Sequence, residues 1–274
     1  QFEEDLRSLK NAGIECPIAF SFYGWVHLDQ YHYMHNEPIS TRNNGFDGLD
    51  AELMFNKTSY VSHIKRLKRW HDEKLGSYAK KLFGIGTRES FATGKCGHYF
   101  GSIASHGTVL KTAKMQWGVA FVPHNNGTKP NNTVVGGSSL WTMKGFSNEE
   151  YKGVAAFFNF LRSHESQEFW STVTGYVPVT KSAYDSLIAK GFYAKKEFAG
   201  REVAIESLTR TPPKSLSRGL RLGYFRQIRK ILDEELEKIL MGEKGVQDAL
   251  DNAVKRGNLL LRRFEKQNKG KILP

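Results

Sequence analysis

Residues 223–241 form an amphipathic helical pattern with a cation on its apolar side. At 100° per residue, Phe225, Ile228, Leu232, Leu236, Ile239 and Leu240 fall in one arc, which must be buried against another element. Arg229 lies inside that arc, one turn after Phe225. Arg226, Lys230, Asp233, Glu234, Glu237 and Lys238 lie on the other side. A guanidinium keeps its proton, so burying it unpaired is costly. Arg229 must therefore meet a carboxylate, a helix C-terminus or an anionic ligand. An internal salt bridge or a head group snorkelling at the edge would satisfy it as well as a ligand would. The following helix, residues 246–264, has a clean stripe of Val246, Leu250, Val254, Leu261 and Phe264 and reads as packing only.

The first half of the chain alternates short apolar runs with helical patterns, whereas helices dominate the second, which indicates an α/β protein. Residues 2–13 read as a helix with Phe2, Leu6 and Leu9 on one side, and 14–22 as a buried strand. Residues 56–72 read as a helix with Asn56 near its cap. Residues 116–123 (Q-W-G-V-A-F-V-P) read as a strand, as do Val134-Val135 and the run 140–143. Ser147 and Glu150 form a capping box for a helix carrying Val154, Phe157, Phe158 and Leu161.

Four local features are candidates for chemistry. Gly136-Gly137-Ser138-Ser139 interrupts strand-like composition with small residues, leaving donors around an open space that suits an oxyanion or a sugar hydroxyl; an ordinary hairpin turn is the alternative. Ser102, Ser105 and Thr108, with Gly101 and Gly107, mark a strand-to-helix turn whose amides either face an anion or cap the helix. Gly175 and Pro178 constrain the connection that carries Tyr176. Phe22 and Trp25, three apart at a strand-to-helix junction, either anchor the core or line a cleft.

Other features exclude more than they establish. A net charge of +12 favours anionic partners, but the basic residues are dispersed and carry no nucleic-acid-binding signature. No hydrolase elbow, zinc-protease helix, phosphate loop or dinucleotide fingerprint occurs. Residues 43–50 contain only half the ligand spacing of a calcium loop. His32 and His35 could share a metal, yet no third ligand is evident. Cys16 and Cys96 permit one disulfide or two buried thiols. The sequence opens at Gln1 inside a helical pattern, the expectation for a processed chain or a fragment.

Several motifs carry a family resemblance: K-N-A-G-I-E-C-P at 10–17, N-N-G-F-D-G at 43–48, V-V-G-G-S-S-L-W at 134–141 and T-G-Y-V-P-V-T-K at 174–181. S-R-G-L-R-L-G at 217–223, D-E-E-L at 233–236 and R-G-N-L-L-L-R-R-F-E-K at 256–266 extend it along nearly the whole chain. Together they closely resemble the glycerol-3-phosphate-binding members of extracellular solute-binding family 1, the periplasmic substrate-binding components of ABC importers. The resemblance implies a type II periplasmic-binding fold, with two α/β lobes joined by crossing hinge strands. It implies capture of sn-glycerol 3-phosphate or glycerophosphodiesters such as glycerophosphocholine, delivery to a membrane permease, and a monomer that is not an enzyme. Cofactor, metal and nucleic acid have no part in that function. A sugar ligand, or a phosphate-ester-processing enzyme, is the alternative.

By the same resemblance Ser102, Gly137, Tyr176 and Arg229 match ligand-contacting positions, and Phe22 and Trp25 match two tryptophans that flank the glycerol moiety. Phe22 departs from that pattern and lacks the indole N–H. Family members are longer, and the part without a counterpart here is most of the N-terminal lobe. Residues 1–124 and 179–274 are then the C-terminal lobe, with 125–178 the hinge and a segment returning to the other lobe. An acidic residue for the glycerol hydroxyls is expected outside this sequence.

Overall fold

The computed structural model describes residues 1–20 and 24–271. Helix α1 (Phe2–Asn11) leads into strand β1 (Cys16–Phe20), and a π-helical turn over Trp25–Gln30 runs directly into α2 (Tyr31–His35). Then come α3 (Tyr60–Asp72), β2 (Gly76–Tyr78), α4 (Ala79–Phe83), α5 (Thr87–Ala92) and β3 (Cys96–Tyr99). Helices α6 (His106–Thr112), α7 (Asn148–Leu161), α8 (His164–Thr174), α9 (Lys181–Ala189) and α10 (Glu202–Thr209) follow. The long pair α11 (Phe225–Leu240) and α12 (Val246–Asn268) comes last. Two compact units divide the chain: residues 1–100, 122–134 and 209–274 form one, and residues 101–121 and 135–208 the other.

The first unit is built on three parallel strands in the order β2-β1-β3, with Ile18 opposite both Gly76 and His98. Every residue of β1 is buried, as expected of a central strand in a parallel sheet covered on both faces. Cys16 lies opposite Cys96 in the ladder, and the two are joined in a disulfide. The apolar arc of α11 packs on α12, burying Ile228, Leu232, Leu236 and Ile239 with Ala249, Leu250, Ala253 and Leu261. Helix α12 does more than supply a stripe. Its Asn252 and Arg256 join Lys238 and Lys244 around the wholly buried Glu235, all within 2.8–3.0 Å. Burial pushes the Glu235 carboxyl up, but these partners outweigh it and hold it at about 2.

Several expected elements shift. The helix predicted over 56–72 begins at Tyr60, after a short 3-10 turn at Phe55–Lys57, so Ser59 rather than Asn56 stands at its cap. The polar stretch around Asn43 folds as a left-handed turn. Arg42, Asn43 and Asn44 have φ between +51° and +56°, and the buried Asn44 accepts the amides of Ile39 and Ser40 through Oδ1.

The second unit departs more from expectation. Residues 116–123, Val134-Val135 and 140–143, all in this unit except 122–123 and Val134, have strand composition, yet none belongs to a β-ladder among the described residues. A strand persists only where a neighbour takes up its N–H and C=O groups, and composition does not supply one. Leu140, Trp141 and Met143 are accordingly 63–77% exposed. Helix α7 forms with its capping box intact, but none of its residues is buried, including the apolar set around Phe157. The box fixes where this helix starts; it does not supply a surface for it to pack on.

Two stability outcomes follow. The disulfide closes a separation of 80 residues, for which loop entropy gives about 4–5 kcal/mol. Urea unfolding of Cys16→Ala/Cys96→Ala should show a loss of that order, and an unchanged midpoint would show the bond to be dispensable. The wholly buried His32 is held down at about 4 by burial, so the unfolded chain takes up its proton first. Stability present above pH 6.5 is then lost as pH falls toward 4. Glu235 adds a second loss below 4.5, as pH falls toward its folded value near 2. Urea midpoints measured from pH 7 to 3 should fall across both windows.

Candidate functional site

In the first unit the site begins at the π-helical turn. Such turns insert an extra residue into a helix and recur at functional sites. Trp25, half-buried, opens it. Just after the turn, Tyr31 stacks on His63 at 4.3 Å and lies 4.2 Å from His35. The Gln30 amide clamps the backbone of Val134 from both sides, donating to its carbonyl and accepting its N–H at 2.9 Å each. His32 and His35 spend their ring nitrogens structurally, on Leu28 O and Thr58 Oγ1, and on Tyr31 O and the Asn125 amide. Among the described residues no three His, Cys, Asp or Glu side chains could together hold a metal ion.

Arg229 projects from α11 toward this turn and is paired with Asp29. The carboxylate is almost wholly buried, at 3% exposure, while a third of the Arg229 side chain remains open. The guanidinium also lies over the Phe225 ring, 4.7 Å from its centroid. Gly24 makes this approach possible, since a Cβ there would stand 3.0 Å from Arg229 Cγ. Its amide also pulls on the carboxyl of Asp233, one turn further along α11. Burial pushes the Asp233 carboxyl up to about 7 against the pull of that amide and of Arg229. The apolar arc therefore holds a charge because a carboxylate waits for it.

The second unit places Gly137 against Tyr176. Gly137 has φ +120°, and a Cβ on it would sit 3.3 Å from Tyr176 Cε1, so both backbone and space call for glycine. Tyr176 is 41% exposed and follows Gly175, the left-handed cap of α8. Ser102 does not join this pair. Its Oγ accepts the Ala104 amide at the start of a 3-10 turn, the capping alternative of the two that its sequence allowed. Phe22 lies outside the described residues.

Sequence reasoning missed three participants. Asp29 is an acid within the apolar and aromatic run W-V-H-L-D-Q-Y, a signal as legible as Arg229 itself. Gly24 gave no sign. Arg201 stands in none of the motifs singled out, yet it is buried over the Phe198 ring at 4.9 Å and donates through Nε to His106 Nδ1 at 3.2 Å. Its guanidinium backs the Cα of Gly175, bracing the connection that carries Tyr176.

The family model for bacterial extracellular solute-binding proteins matches residues 25–199. The chain belongs to that family. It is 41% identical over 263 residues to the sn-glycerol-3-phosphate-binding periplasmic protein UgpB of Escherichia coli K12, and equally to that of Shigella flexneri. Each match covers 95% of this chain and 59% of the relative, so the chain spans about three-fifths of the length of these relatives. Among solved structures it is similar to the sugar-binding MalE of Xanthomonas citri, with a TM-score of 0.69 and 13% identity over 98% of this chain and 65% of that one. It is also similar to UgpB of Mycobacterium tuberculosis in complex with glycerophosphocholine, with a TM-score of 0.65 and 16% identity over 96% and 62%. The fold is that of the type II periplasmic solute-binding proteins, as the motifs implied.

A carboxylate held up near 7 weighs against the folded state wherever it is ionised. Asp233→Asn should therefore melt higher than the parent protein at pH 8, with the advantage shrinking as the pH is lowered to 5. Thermal scans across that range test this, and a uniform loss at every pH would show that the charge of Asp233 is needed.

Proposed function

We propose that this protein is the ligand-capturing component of an ABC importer. In this reading it binds sn-glycerol 3-phosphate or a glycerophosphodiester such as glycerophosphocholine in the periplasm and presents it to a membrane permease. Arg229 carries the reading: a guanidinium laid on a phenyl ring, fixed by a buried acid and one-third open, on a helix otherwise given to the core. A fixed fork of N–H donors suits a phosphate group far better than a neutral sugar. The names of the relatives point the same way, and a net charge of +12 favours anionic ligands.

Trp25 and Phe22 then cover the carbon skeleton, while Ser102, Gly137 and Tyr176 offer hydroxyl and amide groups to the ligand. By the resemblance, residues 1–124 and 179–274 belong to one lobe and 125–178 to the hinge and its return, a division that differs from the two compact units at 101–121, 125–134 and 179–208. The protein acts as a monomer, without catalysis, cofactor, metal or nucleic acid. An enzyme would need a metal cluster or a nucleophile paired with a base, and the motifs supply neither.

Calorimetric titration of the full-length protein with glycerol 3-phosphate, glycerophosphocholine and maltose tests the reading. Arg229→Ala should weaken both phosphate ligands by about 1.5–3 kcal/mol, roughly 10- to 100-fold in Kd. Unchanged phosphate binding in the variant would make Arg229 structural, and maltose binding in place of phosphate esters would replace the cargo.

A further inference from the structure

Asp29 is too deeply buried to be a ligand contact in its own right, and it cannot give up its partner. Among the described residues its other oxygen, Oδ1, has no hydrogen bond, so its charge is offset by Arg229. Drawing the guanidinium away would strand a buried anion, a change more costly than most single contacts repay. Any anion that meets Arg229 therefore meets the intact pair: N–H donors whose positive charge is largely cancelled from behind. Hydrogen-bond geometry is kept, but net attraction is reduced. That reduction grows with each unit of charge the ligand brings, because the buried carboxylate repels every one.

Resting on the reading of Arg229 as the phosphate contact, we infer that Asp29 is a specificity-determining residue that sets how the site discriminates ligands by phosphate charge. It penalises the dianion of a phosphomonoester relative to the monoanion of a phosphodiester, while orienting the guanidinium equally for both. Two other acids bear on the same group. Asp233 faces Arg229 from one turn along α11, and Glu234 acts on Asp233. Neither is paired with Arg229 by hydrogen bond among the described residues, and neither is almost wholly buried as Asp29 is.

The test is a ratio of affinities, measured calorimetrically at pH 8, where a phosphomonoester with a second pKa near 6 is fully dianionic. The probes are sn-glycerol 3-phosphate and its methyl ester, a diester of the same skeleton with one charge fewer. Asp29→Asn should shift the ratio toward the dianion by about tenfold, the effect of removing one unit charge across a partly screened gap. Any loss of orientation or stability weakens both ligands alike and leaves the ratio unmoved. Asp29→Ser, neutral and smaller, gives the same measurement if the amide variant does not fold, and Asp29→Glu should keep the parent ratio. A ratio within twofold of the parent protein in both neutral variants overturns the inference. Arg229→Ala separates the two ideas. If it weakens both ligands while the Asp29 variants leave the ratio alone, only the role of Asp29 fails; if it weakens neither, the phosphate reading fails with it.

Discussion

The ion pair between Asp29 and Arg229 is the contact on which the first unit turns. It joins two segments 200 residues apart and lets a charged side chain occupy an otherwise apolar helix face. It also depends on its surroundings: a glycine at position 24, the ring of Phe225 and the π-helical turn. A buried pair of this kind contributes little to net stability, because desolvating two ions offsets most of their attraction. Removing one partner is another matter, since the survivor is then buried alone. The pair thus specifies how α11 meets the π-helical turn more than it holds them together.

The central strand and the two C-terminal helices were legible because their patterns are continuous and one-sided, whereas β2 (Gly76–Tyr78) carries no such pattern. The arc from Phe225 to Leu240 has a single solution, burial against another apolar stripe, and α12 supplies it. Strand β1 was legible as an uninterrupted apolar run of the length a parallel strand needs. Residues 116–123 and 140–143 show the limit of that reasoning. Val119, Phe121 and Trp141 announce a strand by type, but a strand is a relation between two segments, and no local pattern states whether the second is present. Glu235 was placed on neither face by its pattern, and only the convergence of Lys238, Lys244, Asn252 and Arg256 explains why it is buried.

For the candidate site, the resemblance named residues whereas physics left choices open. At Arg229 the choice lay between a salt bridge and a ligand, and the structure gives the salt bridge while leaving a third of the side chain free. The two answers are compatible, which the sequence argument had not considered. At Ser102 the choice lay between a cap and an anion contact, and the cap is made. Gly137 shows most clearly why alternatives remained. Its left-handed backbone fits an ordinary turn, and only the Tyr176 ring beside it shows that the missing side chain also makes room for a neighbour.

The spacing of the central pair has a consequence for how the chain matures. Asp29 is synthesised together with the strands and the cysteines that join two of them, whereas Arg229 follows 200 residues later. Until α11 is available, that carboxylate must either stay in water or take up a proton. The surroundings of Asp29 therefore cannot reach their final packing before α11 arrives, even with the disulfide formed. Final packing around Asp29 waits for α11, so it follows synthesis of that segment rather than accompanying it.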